Sequence, residues 1–204
     1  MAQESYCTLA ELKQALNWPT GDTSLDTFQQ ACIDDAARAI EDECGRRFWA
    51  DDDAAQVRKF LPENSGMCLI DDLIEFTSLT TQLDPSSWTI DVDFYLLPIN
   101  AAADGQPYTA IKTIARPFLF TKADIPQGWS ILDGRITLTG KFGWATIPGP
   151  IHRANLILAE RLFKRREAPF GLASAGVDSS AVRLSVTDPD VAKMLSPYAL
   201  TLFA

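Results

Sequence analysis

A chain of 204 residues with 47% apolar and 22% charged side chains is long enough for one or two packed domains and is globular rather than disordered in composition. A formal charge of −9 excludes tight phosphate binding as the main activity, because a net negative surface repels a passing duplex. The polar start Met-Ala-Gln-Glu-Ser has no signal-peptide pattern, and the longest apolar run, Phe94 to Leu97, is too short for a membrane span, so no membrane partner is expected.

The first predicted element is a short helix opened by Thr8-Leu-Ala-Glu11. This is a capping box: the threonine hydroxyl accepts from the third helical N–H while the glutamate returns to the cap. Asn17-Trp-Pro-Thr-Gly21 ends it. A second cap is expected at Thr23-Ser-Leu-Asp26. Behind it Leu25, Phe28, Cys32, Ala36, Ala39 and Ile40 recur at helical spacing and predict one buried face. Gln29, Asp34, Arg38, Glu41 and Asp42 are expected on the solvent side, and Gly45 closes the helix. Cys32 and Cys44 share this helix about 18 Å apart and cannot pair. With no C-x-x-C present, Cys7, Cys32, Cys44 and Cys68 read as reduced thiols.

From about residue 54 the period changes to two. Trp88-Thr-Ile-Asp-Val-Asp-Phe-Tyr-Leu96 alternates strictly and predicts a half-buried strand. Gln56–Phe60, Leu79–Leu83 and Arg135–Thr139 read the same way. Turns are expected at 62–66, Asp84-Pro85, Asp104-Gly105 and Asp133-Gly134. No helix-length crossover separates these strands, so the sheet is expected to be antiparallel.

Pro148-Gly-Pro150 restarts helix. Ile151, Ala154, Leu158 and Leu162 form its apolar stripe, widened by Leu156, Ala159 and Phe163. Arg161, Lys164, Arg165 and Arg166 crowd its C-terminal end, where the helix dipole favours cations. After Pro169 comes a Gly/Ala/Ser tract, then a strand-like Ala181–Val186, a short helix from Asp188 to Leu195, and an apolar end. The expected fold class is α+β: a helical bundle with an antiparallel β module inserted at 54–147, helical pieces at 8–48 and 148–168, and a lead and arm at 169–204.

Catalytic motifs are sparse. The one histidine, His152, excludes H-E-x-x-H zinc sites and reads as a surface residue of a first helical turn. Gly171-Leu-Ala-Ser174-Ala-Gly176 misses a nucleophile elbow by one position, and Gly140-Lys141 has Phe142 where a phosphate loop needs Ser or Thr. No cofactor motif is present. Asp91 and Asp93 are expected on one strand face roughly 7 Å apart, which fits a glycosidase-like pair or simply a solvated face. Asp51-Asp-Asp53 reads as a solvated linker rather than a calcium loop. With Trp88, Trp129, Trp144 and Tyr95, the aspartates make a carbohydrate-binding or hydrolytic module the competing reading.

The order of several short stretches resembles the head–tail connector, or adaptor, proteins of long-tailed bacteriophages. These are Cys7–Lys13 with Gly21–Ser24, Glu43-Cys-Gly-Arg-Arg-Phe48, and Asp93-Phe-Tyr-Leu-Leu-Pro98 with Pro107-Tyr108. Further along come Thr139-Gly-Lys-Phe-Gly-Trp144, Ala159-Glu-Arg-Leu-Phe-Lys-Arg-Arg166 with Ala168–Gly171, Asp188–Val191, and Leu195-Ser-Pro-Tyr198. The resemblance implies a non-enzymatic virion protein of the neck. It would form a twelve-fold ring with itself beneath the portal protein, extend the DNA channel, and present a platform to a stopper or other tail protein. The helix from Ile151 and the helix from Ser24 would form the ring body. The C-terminal stretch would be a portal-binding arm that orders only against a partner, through Val182, Leu184, Val186, Val191, Met194, Leu195, Tyr198, Leu200, Leu202 and Phe203. Arg161, Lys164, Arg165 and Arg166 are the expected inter-subunit or channel contacts. Double-stranded DNA would pass with weak, non-specific contact, which suits the acidic balance. A stopper or tail-completion protein of the same neck is the alternative within this resemblance. Either would be made in a host cytoplasm and end in the virion.

Overall fold

The computed structural model describes residues 5–81, 86–118, 135–166, 172–173, 182–183 and 189–200. The chain is α+β and divides into two compact units: 1–48 with 147–204, and 49–146.

The first unit is built of helices α1 (Leu9–Ala15), α2 (Asp26–Cys44), α3 (Gly149–Arg165) and α4 (Pro189–Leu195), the last followed by a 3-10 turn at Ser196–Tyr198. The capping box on α1 forms as expected, with Thr8 Oγ1 accepting from Glu11 N at 3.3 Å and Thr8 N donating to Glu11 Oε2 at 2.8 Å. The cap expected for α2 does not form. Its N-cap is Leu25, which has no capping side chain. The positive end of α2 is served instead by Asp26 in its first turn, held against the ammonium of Lys13. Gly45 closes α2 in the left-handed region at φ 66°.

The buried face of α2 is Gln29, Cys32, Ile33, Ala36, Ala37, Ile40 and Cys44. That differs from the face read from the sequence: Gln29 is fully buried, while Phe28 is 41% exposed and Ala39 is exposed. The register turns because both α1 and α3 pack on α2, so its buried arc is centred near Ile33 and Ile40. α3 buries Ile151, Ala154, Asn155, Leu156, Ala159 and Phe163, and Phe163 meets Trp18 edge-on at 5.8 Å.

Residues 189–200 are ordered within this one chain. Val191 and Leu195 are buried, α4 packs on α3 and α2, Leu200 N donates to Cys44 O at 2.9 Å, and Tyr198 meets Phe48 edge-on at 5.8 Å. The expectation that this stretch orders only on a partner is therefore corrected for 189–200: two buried aliphatic side chains, one edge-on aromatic pair and the Leu200–Cys44 main-chain bond supply the ordering in cis.

The second unit is a five-stranded antiparallel sheet in the order β1-β5-β2-β4-β3, with β1 Gln56–Phe60, β2 Met67–Thr81, β3 Phe94–Leu97, β4 Tyr108–Thr113 and β5 Ile136–Phe142. The strand pair β6 (Leu172–Ala173) and β7 (Val182–Arg183) belongs to the first unit's span. The sheet core joins Leu73, Leu79, Phe94, Ile111, Ile136, Leu138 and Phe142. β2 is three times the usual strand length, breaks its register three times and pairs with β4 at one end and β5 along the other.

Two glycines permit this packing. A Cβ on Gly140 would collide with the Glu75 carbonyl oxygen, and one on Gly143, at φ 105°, with the Trp49 carbonyl oxygen. At the unit's ends, Asp51 N donates to Phe142 O at 2.9 Å and the Trp144 indole donates to Asp72 at 2.9 Å.

Candidate interaction surface

Among the described residues of the helical unit, a groove is set between α2, α3 and α4. α2 and α3 lie side by side, with Asn155 Nδ2 donating to Ile33 O at 3.1 Å in their buried interface. α4 rests against the same pair one layer out. Its seven residues do not fill the trough between them, which leaves a cavity of about 300 Å³. α2 lines it with Ala36, Ala39 and Glu43, α3 with Leu158, Arg161, Leu162 and Arg165, and α4 with Val191, Ala192 and Leu195. The floor is small or aliphatic, and charge stands only at Glu43 on one side and at Arg161 and Arg165 on the other.

The basic cluster at the end of α3 splits three ways. Arg161 and Arg165, four residues apart, line the groove. Lys164 pairs with Glu160 on the exposed face. Arg166 caps the helix and sets its guanidinium 4.7 Å from the Phe163 ring centre. Of the residues expected in the arm, Val191 and Leu195 line the groove from α4, Met194 and Tyr198 are half-buried, and Leu200 is 44% exposed beside Gly45. Val182 lies in β7. Leu184, Val186, Leu202 and Phe203 fall outside the described residues.

Of the groove residues, Ala36 and Ala39 were expected in a buried helix face rather than a groove, and no role was expected for Glu43 or Ala192. The signal was present: two alanines three apart and a glutamate four further on form a low shoulder along α2. A shoulder becomes a groove only once α4 is known to pack beside it.

Elsewhere in the unit the ionisable groups hold structure. His152 Nε2 lies 3.1 Å from Glu11 Oε1, so the lone histidine ties α3 to α1. Hydrogen bonds from the Thr8 backbone and hydroxyl, then from His152, keep the Glu11 carboxyl below the usual carboxylate range. Burial raises the thiols, Cys7 to about 12 and Cys44 to about 11, and raises Cys32 as well.

In the sheet unit the carboxylates and aromatics stand differently from their sequence pattern. Residues 91–93 form a turn, and only Ile90, bridged to Phe94, pairs before β3, so 88–93 is not a strand. Asp91 lies in the left-handed region at φ 63°, while the Asp93 carboxylate accepts from Thr89 N at 2.8 Å. The premise of two carboxylates on one strand face therefore fails, because the alternation is that of a turn folded back on β3. Trp88 is buried and stacked on Phe118 at 5.3 Å, and Trp144 is buried on Asp72. Neither offers a face to a sugar, and Trp129 lies outside the described residues. Asp51 is also not a solvated linker residue: its side chain is buried and ion-paired with Arg58 at 2.6 Å. Among the described residues no three His, Cys, Asp or Glu side chains are grouped to hold a metal ion, and no helix is long and apolar enough to cross a membrane.

No protein-family model matches the chain, and no curated protein matches it in sequence. Solved structures do. A chain in the neck of an empty gene transfer agent particle superposes with a TM-score of 0.55 at 14% identity, over 94% of this chain and 88% of that one. A chain in the virion of a native gene transfer agent particle superposes with a TM-score of 0.50 at 15% identity, over the same 94% and 88%. At these identities the likeness is one of fold, and it takes in both units rather than one.

Proposed function

We propose that the chain is a structural protein of the neck of a phage-like virion, and specifically the adaptor ring that docks beneath the portal. The observation that carries this reading is the fold likeness to a gene transfer agent neck chain across 94% of the sequence. A likeness so complete includes the helical unit, the inserted sheet and their order in the chain. A catalytic reading has little to stand on, since Trp88 and Trp144 are packed and Asp91 and Asp93 lie in a turn of the sheet unit.

In this reading the helical unit is the ring body. The C-terminal stretch from Val182 to Phe203 meets the portal, and Arg161, Lys164, Arg165 and Arg166 serve contacts between subunits or with passing DNA. A net charge of −9 suits a conduit, because a channel that neutralised many phosphates would hold DNA with steep salt dependence. The partners are the portal, further copies of the chain, and a stopper or other tail-side protein.

The test is to mix the purified chain with the portal ring encoded in the same genome and to measure the mass and image of the product. Added subunits coaxial with the portal are expected. No binding to an intact portal would overturn the adaptor role in favour of a stopper or tail-completion protein of the same neck.

A further inference from the structure

The groove between α2, α3 and α4 lies beside the point where the described chain ends. We propose that it seats the two apolar side chains that follow in the sequence, Leu202 and Phe203, within the same molecule. This rests on the groove and on the position of Leu200, and goes beyond the adaptor reading rather than depending on it.

Leu200 N donates to Cys44 O at 2.9 Å, and a Cβ on Gly45 would meet Leu200 Cβ at 3.8 Å. The chain therefore leaves Leu200 at the C-terminal end of α2. Glu43, the residue before Cys44, already lines the groove. Residues 201–203 read Thr-Leu-Phe. An extended chain advances about 3.3 Å per residue, so Leu202 and Phe203 reach about 7 and 10 Å from Leu200. The α2 wall of the groove, from Glu43 back to Ala36, is about 10 Å long at 1.5 Å per residue. The two lengths match.

The capacity matches as well. An apolar cavity of about 150 Å³ holds a benzene ring. A groove of about 300 Å³ has room for one ring and one branched aliphatic group. Its floor has surface to offer them: Ala39 and Ala192 are exposed, and Leu158 and Leu162 are half-buried. Seating Leu202 and Phe203 there takes apolar area of both the groove and the two side chains out of water. Both side chains are uncharged, so the fit asks nothing of the rim charges.

A second copy carries the same two side chains, but the tether selects the molecule's own. Two residues from a fixed point, Leu202 meets the groove at an effective concentration on the order of millimolar, against which free copies at about micromolar concentration compete poorly.

The test is NMR of the methyl-labelled full chain. Nuclear Overhauser contacts are expected from the Phe203 ring to the methyls of Ala39, Leu158 and Leu162. In a mixture of labelled and unlabelled chains none of these contacts is expected to pass between molecules. Leu202→Ser together with Phe203→Ser is expected to shift the Ala39, Ala192 and Leu162 methyls and to leave those of the sheet unit in place. Groove methyls unmoved by that double substitution would overturn the proposal. So would contacts between molecules, which would give the groove to a second copy, or a Phe203 ring that touches only other surfaces. A portal-bound ring built from a chain whose groove methyls ignore the substitution would sink this inference and keep the adaptor reading. Seated side chains in a chain that binds no portal would do the reverse.

Discussion

Asn155 Nδ2 donates to the main-chain carbonyl of Ile33 at 3.1 Å, and both residues are fully buried. This is a polar tie in an apolar interface, and it sets the register of α3 against α2. Replacing Asn155 with Ala removes the donor and opens a small void, so a loss of about 1–3 kcal/mol is expected. Urea unfolding of the two proteins checks it. A variant as stable as the parent would show that the tie sets nothing.

The cap on α1 gives a pH-dependent prediction. The Glu11 carboxyl is held below its ordinary range, first by the Thr8 backbone N–H. A depressed folded value means the stabilisation is present above the ordinary carboxylate value, about 4.3, and is lost as pH falls through the folded value. Glu11→Ala should cost about 0.5–1 kcal/mol at pH 7, a modest figure because the side chain is 41% exposed and screened. Thermal melts of both proteins should converge as pH drops below 4. A gap that widened in acid would contradict the assignment.

The thiols should be slow. Cys7 at about 12 and Cys44 at about 11 are almost wholly protonated at pH 8, and both are buried. A thiol reagent is expected to label neither within minutes in the folded protein and both promptly in denaturant. Fast labelling of Cys7 in the native state would mean that the Tyr6–Cys7 segment opens.

Gly143 supports the base of the sheet unit. At φ 105°, with the Trp49 carbonyl oxygen where a Cβ would go, it has neither the conformation nor the space for a side chain. Gly143→Ala should cost roughly 2 kcal/mol or more, read as a lower melting temperature. Gly149, whose Cβ would meet nothing within 4 Å, is the control and should tolerate alanine in a first helical turn.

Much of the architecture was legible because local chemistry agreed with the fold. The capping box at Thr8, the glycine stop at Gly45 and the proline start at Pro150 each act within one turn of chain. What was not legible depended on distant partners. β4 escaped notice because its buried pair, Ala110 and Ile111, is adjacent rather than alternating, and only its place between β2 and β3 makes it a strand. The 88–93 stretch alternates like a strand, yet an Asp91 in the left-handed region turns it. The candidate surface was half legible: the arginines were visible as a cluster, but which two face inward is decided by α4, whose packing no local pattern announces.

That packing changes what removal of the C-terminal stretch would mean. Val191 and Leu195 are 5% and 4% exposed and close one side of the helical unit. A chain truncated after Ala175 therefore loses a wall of its own fold as well as any contact with a portal. Leu195→Ala is expected to destabilise the isolated protein by about 2–4 kcal/mol, as for other buried leucines. Leu200→Ala should cost little, since that side chain is 44% exposed against Gly45. Portal binding is thus best read from Leu200→Ala and from substitutions at Met194 and Tyr198, with melting temperature measured alongside. A Leu195→Ala protein as stable as the parent would show that α4 only rests on the body, and would make truncation a clean test of the arm.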